Sequence, residues 1–330
     1  MNKVLSLLLL TVCGTLYGRA QFAPQAGISG TTAIHRSSAG IKQWAASCTV
    51  TRGLTDIADA GSGPASVGTD ADATGMADGS VVSLGDSGVA VLTFNGYIFD
   101  GDGPDFAVFE NGFANPANGE EAFLELAFVE VSSDGEHFFR FPATSNTGIS
   151  TQVAGAGDYM NARLVNNLAG KYIAQYGTPF DLAELKGTSG LDVSHVTHIR
   201  IVDVIGSVNA HHSQDAHGNV INDPYPTRFP SGGFDLDAVA AINTAGLGLK
   251  EFEASGFRMY PVPVTDVLSL DIPGEEHVHV SVRDIQGRDL QQYDASGSLR
   301  IPMAAYNAGT YFLYIDRKSA PVCVGVFSKV

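Results

Sequence analysis

The sequence predicts an all-β protein, a larger β-sandwich followed by a smaller one. Three observations carry that reading. Short alternating apolar stretches recur along the chain, separated by clusters of Gly, Asp, Asn and Pro, as short strands and tight turns require. Helical periodicity is sparse. The 330 residues include 38 glycines, 44% hydrophobic residues and only 16% charged ones, a globular and turn-rich composition rather than a disordered one.

The elements follow in order. Residues 1–20 read as a secretory signal: Lys3 supplies a positive start, Val4 to Val12 an apolar run, and Gly18 and Ala20 the small residues before a cut after Ala20. Cys13 lies in that region behind Val12 rather than a small residue, so lipid attachment is not expected. The run is too short to span a membrane, and no later stretch holds 18 apolar residues in a row, so no transmembrane segment is expected.

Residues 21–245 form the large domain. Val89–Phe94, Phe106–Phe109, Leu124–Val131, His137–Phe141 and His198–Val204 read as strands. Asp181–Leu185 reads as one helical turn, and Asn161–Ala174 fits neither period cleanly. Residues 246–256, with Gly246, Gly248, Ser255 and Gly256, read as a linker. Residues 257–330 form the small domain. There Val278, Val280 and Val282 alternate with His277, His279 and Ser281, the period of a half-buried strand. Gly287 supplies a positive φ for a tight hairpin, and Gly309 is expected to open the following strand in the same way.

Charge is uneven between the two. Residues 21–256 hold 10 basic and 27 acidic residues, net −17, whereas 257–330 hold 7 and 8. The large domain would repel nucleic acid and anionic membrane surfaces and attract calcium and cationic partners. Beyond the signal only Cys48 and Cys323 remain, one in each domain, so no disulfide between them is expected.

Candidate metal ligands come from two acidic clusters. Asp100, Asp102 and Asp105 sit in a glycine-spaced loop that feeds a strand, and such a loop can turn several oxygens inward for calcium. It lacks the Glu at the twelfth position and the flanking helices of an EF-hand. Asp235 and Asp237 lie two apart in a strand-like run, which places both on one face with Phe234, Leu236 and Ala238 on the other and Val239 on the Asp side. Asp203 shares its phase with Ile199, Ile201 and Ile205, so it needs a metal, Arg200 or backbone N–H groups as partner. Glu125 and Glu130 pose the same question on opposite faces. His211, His212, Asp215 and His217 fall in a loop that reads as solvated rather than as a zinc site. No Gly-x-Ser-x-Gly, His-Glu-x-x-His or phosphate-loop motif occurs, and no catalytic set is assigned. Trp44, Tyr97, Tyr159, Tyr172, Tyr176 and Tyr225 are candidate stacking surfaces for a ligand.

The small domain carries a specific resemblance. Tyr260-Pro261-Val262-Pro263, then Val282-Arg283-Asp284-Ile285-Gln286-Gly287-Arg288, then Ala308-Gly309-Thr310-Tyr311, and Lys329 near the end follow one another in order. This series resembles the type A C-terminal sorting domain of type IX secretion cargo, with Val262 where that family usually has Asn. The resemblance implies a partner, the type IX secretion machinery, and a location at the surface or in the medium of a Bacteroidetes-type bacterium.

In the large domain the run Ser231 to Val239 is similar to the last strand of calcium-stabilised jelly-roll carbohydrate-binding modules. That likeness implies a jelly-roll-like sandwich and bound Ca2+. Asp105–Phe113, Phe123–Phe141, Tyr176–Asp181 and Ile221–Val239 also resemble uncharacterised bacterial surface proteins, for which a link to cobalamin uptake is implied. The expected function is therefore an exported, non-enzymatic, calcium-stabilised protein that binds a glycan or another bulky nutrient. The alternatives are a polysaccharide hydrolase with paired carboxylates, a structural or adhesive surface protein, and a cobalamin-binding surface protein.

Overall fold

The computed structural model describes residues 21–246, 256–274, 277–286, 288–317 and 320–330. The signal at 1–20, most of the linker and Gly287 lie outside those residues. No α-helix occurs among the described residues, and none of their helices is long and apolar enough to cross a membrane.

Two six-stranded antiparallel sheets form the large sandwich. The first runs Ile34–His35, Tyr176–Phe180, Phe106–Glu110, Asp235–Ala241, Gln43–Trp44, with Val82–Ser83 also on Asp235–Ala241. The second runs Phe139–Arg140, Ala127–Ser132, Val196–Asp203, Val89–Ile98, Thr244–Gly246, with Ser47–Thr51 also on Val89–Ile98. From Val89 onward the principal strands alternate between the sheets: Val89–Ile98, Phe106–Glu110, Ala127–Ser132, Tyr176–Phe180, Val196–Asp203 and Asp235–Ala241. That wrapping makes the sandwich jelly-roll-like.

The alternation read in the sequence decides which side chains meet between the sheets. Ala90, Leu92 and Phe94 face inward from one sheet, and Phe106, Val108, Val239 and Ala241 from the other. Phe106 and Phe180 stack at 5.2 Å, with Phe141 edge-on to both. Each such ring, fully buried, contributes on the order of 2–3 kcal/mol of apolar transfer.

Two satellite clusters cover the outer faces. Trp44, Ala107, Phe109, Ala238 and Ala240 pack on the first sheet. Leu124, Leu126, Phe128, Val165, Leu168 and Ile221 pack under the excursions from 113 to 126, from 141 to 173 and from 204 to 225.

Several boundaries move. The strand expected over Leu124–Val131 is Ala127–Ser132, because Asp223 and Ala169 bind the backbone of Leu126 and Ala127 and bend the chain there. Asn161–Ala174 resolves into a short 3-10 turn at Ala162–Leu164 and a two-residue strand at Val165–Asn166. Asp181–Leu185 is a 3-10 turn over Leu182–Leu185, capped by the Asp181 side chain on Ala183 N–H. Gly246 is not linker: it ends the strand Thr244–Gly246, paired with Gly96.

A separate core is built from residues 257–327. One sheet runs Arg258–Tyr260, Val267–Asp271, Ser298–Pro302, and the other Asp289–Ala295, Val278–Arg283, Gly309–Arg317, Ala320–Lys329. Val278, Val280 and Val282 are buried there as expected, with His277 and His279 exposed, but Ser281, expected on the exposed face, is buried as well. Gly309 does not adopt a positive φ, and a Cβ on it would meet nothing closer than the Tyr311 ring at 4.0 Å. Its backbone is ordinary strand, so the turn-like conformation expected of it is not used. Cys48 is a free thiol, and burial pushes its pKa up to about 12.

Candidate functional site

Six carboxyl groups converge at one end of the large sandwich. Glu110 ends the strand Phe106–Glu110, and Asp235 begins the neighbouring strand opposite Ser83. Asp203 ends Val196–Asp203, while Glu125, Asp223 and Asp86 come from the connections between strands. All six are buried.

Most of them have structural work. Asp203 accepts from the N–H of Ser87 (3.0 Å) and of Phe234 (2.7 Å), which resolves its partner as backbone rather than metal or Arg200. Asp223 accepts twice from Leu126 N–H at 3.1 Å, and Asp86 accepts from Ile57 N–H at 2.6 Å. Asp235 takes the Ser83 hydroxyl on one oxygen and Asn111 Nδ2, at 3.1 Å, on the other.

Two glycines make this packing possible. Gly170 has φ +79°, and a Cβ there would lie 1.7 Å from the Glu125 carbonyl oxygen. Gly233 has φ +75°, and a Cβ there would lie 2.8 Å from the Asp203 carboxyl.

Glu110 and Glu125 differ from the rest. Glu110 Oε2 accepts from Gly112 N–H at 2.8 Å, but its Oε1 is buried with no partner. Glu125 is 6% exposed and receives no hydrogen bond and no ion pair among the described residues. Burial raises both carboxyls well above the usual range. For Glu125 the neighbouring Glu110, Asp235, Asp223 and Asp203 add to the rise.

The contrast with Glu130 is direct. It too is buried, but Arg140 meets one oxygen at 2.7 Å and Arg200 the other. Each guanidinium lies 4.0 Å over a phenyl ring, Arg140 on Phe128 and Arg200 on Phe138. The question posed for both glutamates thus has an answer only for Glu130.

Glu125 and Asp235 open into a cavity of about 280 Å3, also lined by Asn111, Phe113, Phe123 and Phe229. Phe113 and Phe123 stack at 5.1 Å; Phe113 is 44% and Phe229 62% exposed. Across the segment 154–158 lies a second cavity of about 470 Å3, lined by Glu121, Gln152, Asp158, Tyr159, Asn161 and Asn222 among others. Tyr159 meets Phe113 edge-on at 6.4 Å, so an aromatic corner joins the two. Gln152 and Asn222 are spent on holding the wall, through bonds to the carbonyls of Gly206, Asp223, Gly148 and Thr151.

Tyr159 lines that second cavity, whereas the other aromatics proposed as stacking surfaces have structural partners. Trp44 packs on Phe109 at 5.2 Å, Tyr97 on His195, and Tyr176 on His35. Tyr172 is buried against Thr32, and Tyr225 donates to Asp56 at 2.8 Å.

The proposed metal ligands divide into two groups. Asp100 and Asp105 come together with Asp181, the cap of the 3-10 turn at Leu182–Leu185, with oxygens of all three within 4.8 Å of one another. Asp102 is exposed and outside that group. Asp100 lies 3.4 Å from Lys186 Nζ, and both Asp105 oxygens already accept, from Gly101 N–H, Asn243 Nδ2 and Leu182 N–H.

Asp235 and Asp237 sit at the far end of the same strand pair. Leu236 is opposite Glu110 and Ala241 opposite Phe106, which puts the two groups on the order of 17–20 Å apart. A bulge between Leu236 and Ala238 shifts the register and leaves Asp237 as the extra residue. After it the phase reverses: Val239 packs in the main core and Ala238 in the outer cluster, the opposite of the unbroken alternation. Asp237 accepts from the N–H groups of Asp78 and Gly79 and so ties down that loop. In the histidine-rich loop Asp215 accepts from the N–H groups of Ser145, His217 and Asn219, so it organises the turn.

Comparison with known proteins places one part of the chain. Residues 258–324 match the family described as a secretion system C-terminal sorting domain. Among solved structures, PorZ of Porphyromonas gingivalis, described as an essential bacterial surface component of the type-IX secretion system, is 18% identical. That match covers 28% of this chain and 14% of that one, with a TM-score of 0.21. A biofilm-associated protein BSP domain is 11% identical over 74% of this chain and 48% of its own, TM-score 0.20. A Salmonella alpha-2-macroglobulin is 11% identical over 86% of this chain and 23% of its own, TM-score 0.20. The chain thus spans less than half the length of each. No curated protein matches it.

Proposed function

Residues 258–324 are a secretion sorting domain, which addresses the chain to the cell surface or the medium, and from that premise we propose that the large sandwich is a ligand-binding module delivered there by type IX secretion. One observation carries the reading: two adjoining cavities that meet at an aromatic corner made by the exposed Phe113 and the half-buried Tyr159. The larger, where the Tyr159 ring stands among the Glu121 and Asp158 carboxylates and the Ser150 and Thr151 hydroxyls, has the chemistry of a sugar site, where a ring stacks and polar groups orient the hydroxyls. A glycan is the proposed ligand class, with another bulky nutrient such as cobalamin as the second.

The test is a glycan array, with cobalamin binding alongside, on the purified protein and on Tyr159→Ala. Wild type is expected to retain a defined glycan and the variant to lose at least tenfold in affinity. Retention of no glycan would sink the reading, and release of reducing sugar from the bound glycan would turn it into a hydrolase.

We also propose a structural calcium ion, now at Asp100, Asp105 and Asp181 rather than at Asp102, Asp235 or Asp237. The support is the approach of those three carboxylates to within 4.8 Å.

A further inference from the structure

We propose that the smaller cavity, beside the sugar site and independent of it, binds an organic cation: a primary ammonium or guanidinium group on an alkyl stem. Four observations converge on that chemistry. First, Glu125 lines the cavity, is 6% exposed, and has no hydrogen-bond donor or ion-pair partner among the described residues. Behind it Glu110 Oε1 is sealed without a partner. A buried carboxyl in that condition is met by a proton, by water in the cavity or by a cation, and of these the cation offsets its charge.

Second, the same sandwich shows how it treats a glutamate of purely structural use: Glu130 is closed off by Arg140 and Arg200. Glu125 has no arginine or lysine partner among the described residues and lines a cavity instead. Third, no lysine or arginine lines the cavity, so a positive charge arriving there displaces nothing.

Fourth, the remaining wall selects among cations. Phe113, Phe123 and Phe229 line the same cavity as Glu125 and Asp235, and phenyl rings attract an organic cation but cannot ligate a metal. A divalent ion such as calcium takes 6–8 oxygens, whereas Asp235 and Asn111 already bond each other and Thr227 Oγ1 already accepts from Gly233 N–H, which leaves Glu125 and the Ser231 hydroxyl as the freer side-chain oxygens of the lining. Arg140 over Phe128 and Arg200 over Phe138, each beside Glu130, show the fold pairing carboxylate and phenyl around a guanidinium once already. A cavity of about 280 Å3 holds a charged head and a short alkyl stem. The net charge of −17 over residues 21–256 raises the local concentration of any cation.

The experiment is isothermal titration of the full chain at pH 7.5 with agmatine and with lysine amide, repeated with calcium chloride alone. Glu125→Gln keeps the shape and removes the charge; Phe229→Ala removes an exposed ring whose loss cannot unfold the core. Saturable binding of either amine is expected, weakened at least tenfold in Glu125→Gln and about threefold or more in Phe229→Ala. Glycan binding should survive Glu125→Gln, because Glu125 does not line the larger cavity, and that result would separate this site from the sugar site. Absence of saturable heat with both amines overturns the proposal. So does equal affinity in wild type and Glu125→Gln, or in wild type and Phe229→Ala should Glu125→Gln fail to fold. Calcium binding that Glu125→Gln abolishes, with no amine binding, would replace it with a metal site.

Discussion

At the scale of single residues, Glu125 and Glu130 show that burial alone does not define a role. Both carboxyls are buried, yet two arginines answer one and nothing in the described protein answers the other. Their substitutions should therefore part company. Glu130→Gln removes charge-assisted bonds to Arg140 and Arg200 and should lower stability by about 1–3 kcal/mol, measured by urea unfolding. The arginines are partly exposed and can return to water, which keeps the loss below that of a fully buried pair. Glu125→Gln relieves repulsion with Glu110 and Asp235 and should leave the urea midpoint unchanged or raise it. A loss equal to that of Glu130→Gln would mean Glu125 has a structural partner after all.

The same carboxyls set a pH dependence. Glu110, Glu125, Asp203 and Asp223 are raised above their ordinary values, chiefly by burial. The folded state therefore binds more protons than the unfolded one. Its extra stability is present below the ordinary carboxyl range and is lost as pH rises toward the raised values. Asp56 and Asp215 are lowered by their hydrogen bonds, so their contribution is present above the ordinary range and lost as pH falls. Stability measured from pH 5 up to pH 8 should therefore fall, while the smaller contribution of Asp56 and Asp215 should be lost only below the ordinary carboxyl range. In Glu125→Gln the decline from pH 5 to 8 should be shallower. A midpoint that climbs across that interval would contradict the burial reading.

At the scale of elements, the segment 124–127 holds Glu125 at the cavity, and Gly170 is what lets it approach. A methyl on Gly170 would meet the Glu125 carbonyl at 1.7 Å and also face a positive φ. Gly170→Ala should cost roughly 2–4 kcal/mol from strain and displacement together, read as a drop in melting temperature. It should also weaken amine binding more than glycan binding. Little change in either would mean the turn can relax elsewhere.

The calcium proposal belongs to this scale too, since Asp100 follows one strand, Asp105 precedes another and Asp181 caps a 3-10 turn. Millimolar calcium should raise the melting temperature of wild type, and Asp100→Asn should erase that rise. Equal melting with calcium and with chelator in wild type would remove the ion from the account. Asp105 is a poor choice for this test, because its bonds to Gly101, Leu182 and Asn243 are lost with it.

At the scale of the whole molecule, the sorting match at 258–324 and the separate core of 257–327 predict a cargo and an address. Deleting 257–330 should trap the large sandwich in the periplasm, checked by fractionation; normal surface delivery of the truncated chain would refute the assignment. Limited proteolysis should cut first within 247–255, between the strand that ends at Gly246 and the buried Phe257, and leave the large fragment folded. First cuts inside 105–140 would place the boundary elsewhere.

By itself the sequence determined what depends on near neighbours. Strand identity followed from period-2 burial at Ala90, Leu92 and Phe94 and at Val278, Val280 and Val282, because neighbouring side chains on a strand must face opposite ways. The sorting domain followed from motifs local to 257–330. The tertiary structure alone decided what depends on distant neighbours. It joined Asp181 to Asp100 and Asp105, set Asp235 and Asp237 apart from them, and reversed the strand phase through an unsignalled bulge at Asp237. It also left Glu125 facing a phenyl-lined cavity while giving Glu130 two arginines. Glu110, Glu125, Asp203, Asp223 and Asp235 lie on segments far apart in the chain, and no local spacing announces that folding will press them together. Whether a buried charge is answered depends on which groups packing brings within a few ångströms, and packing is a property of the closed sandwich rather than of any one strand.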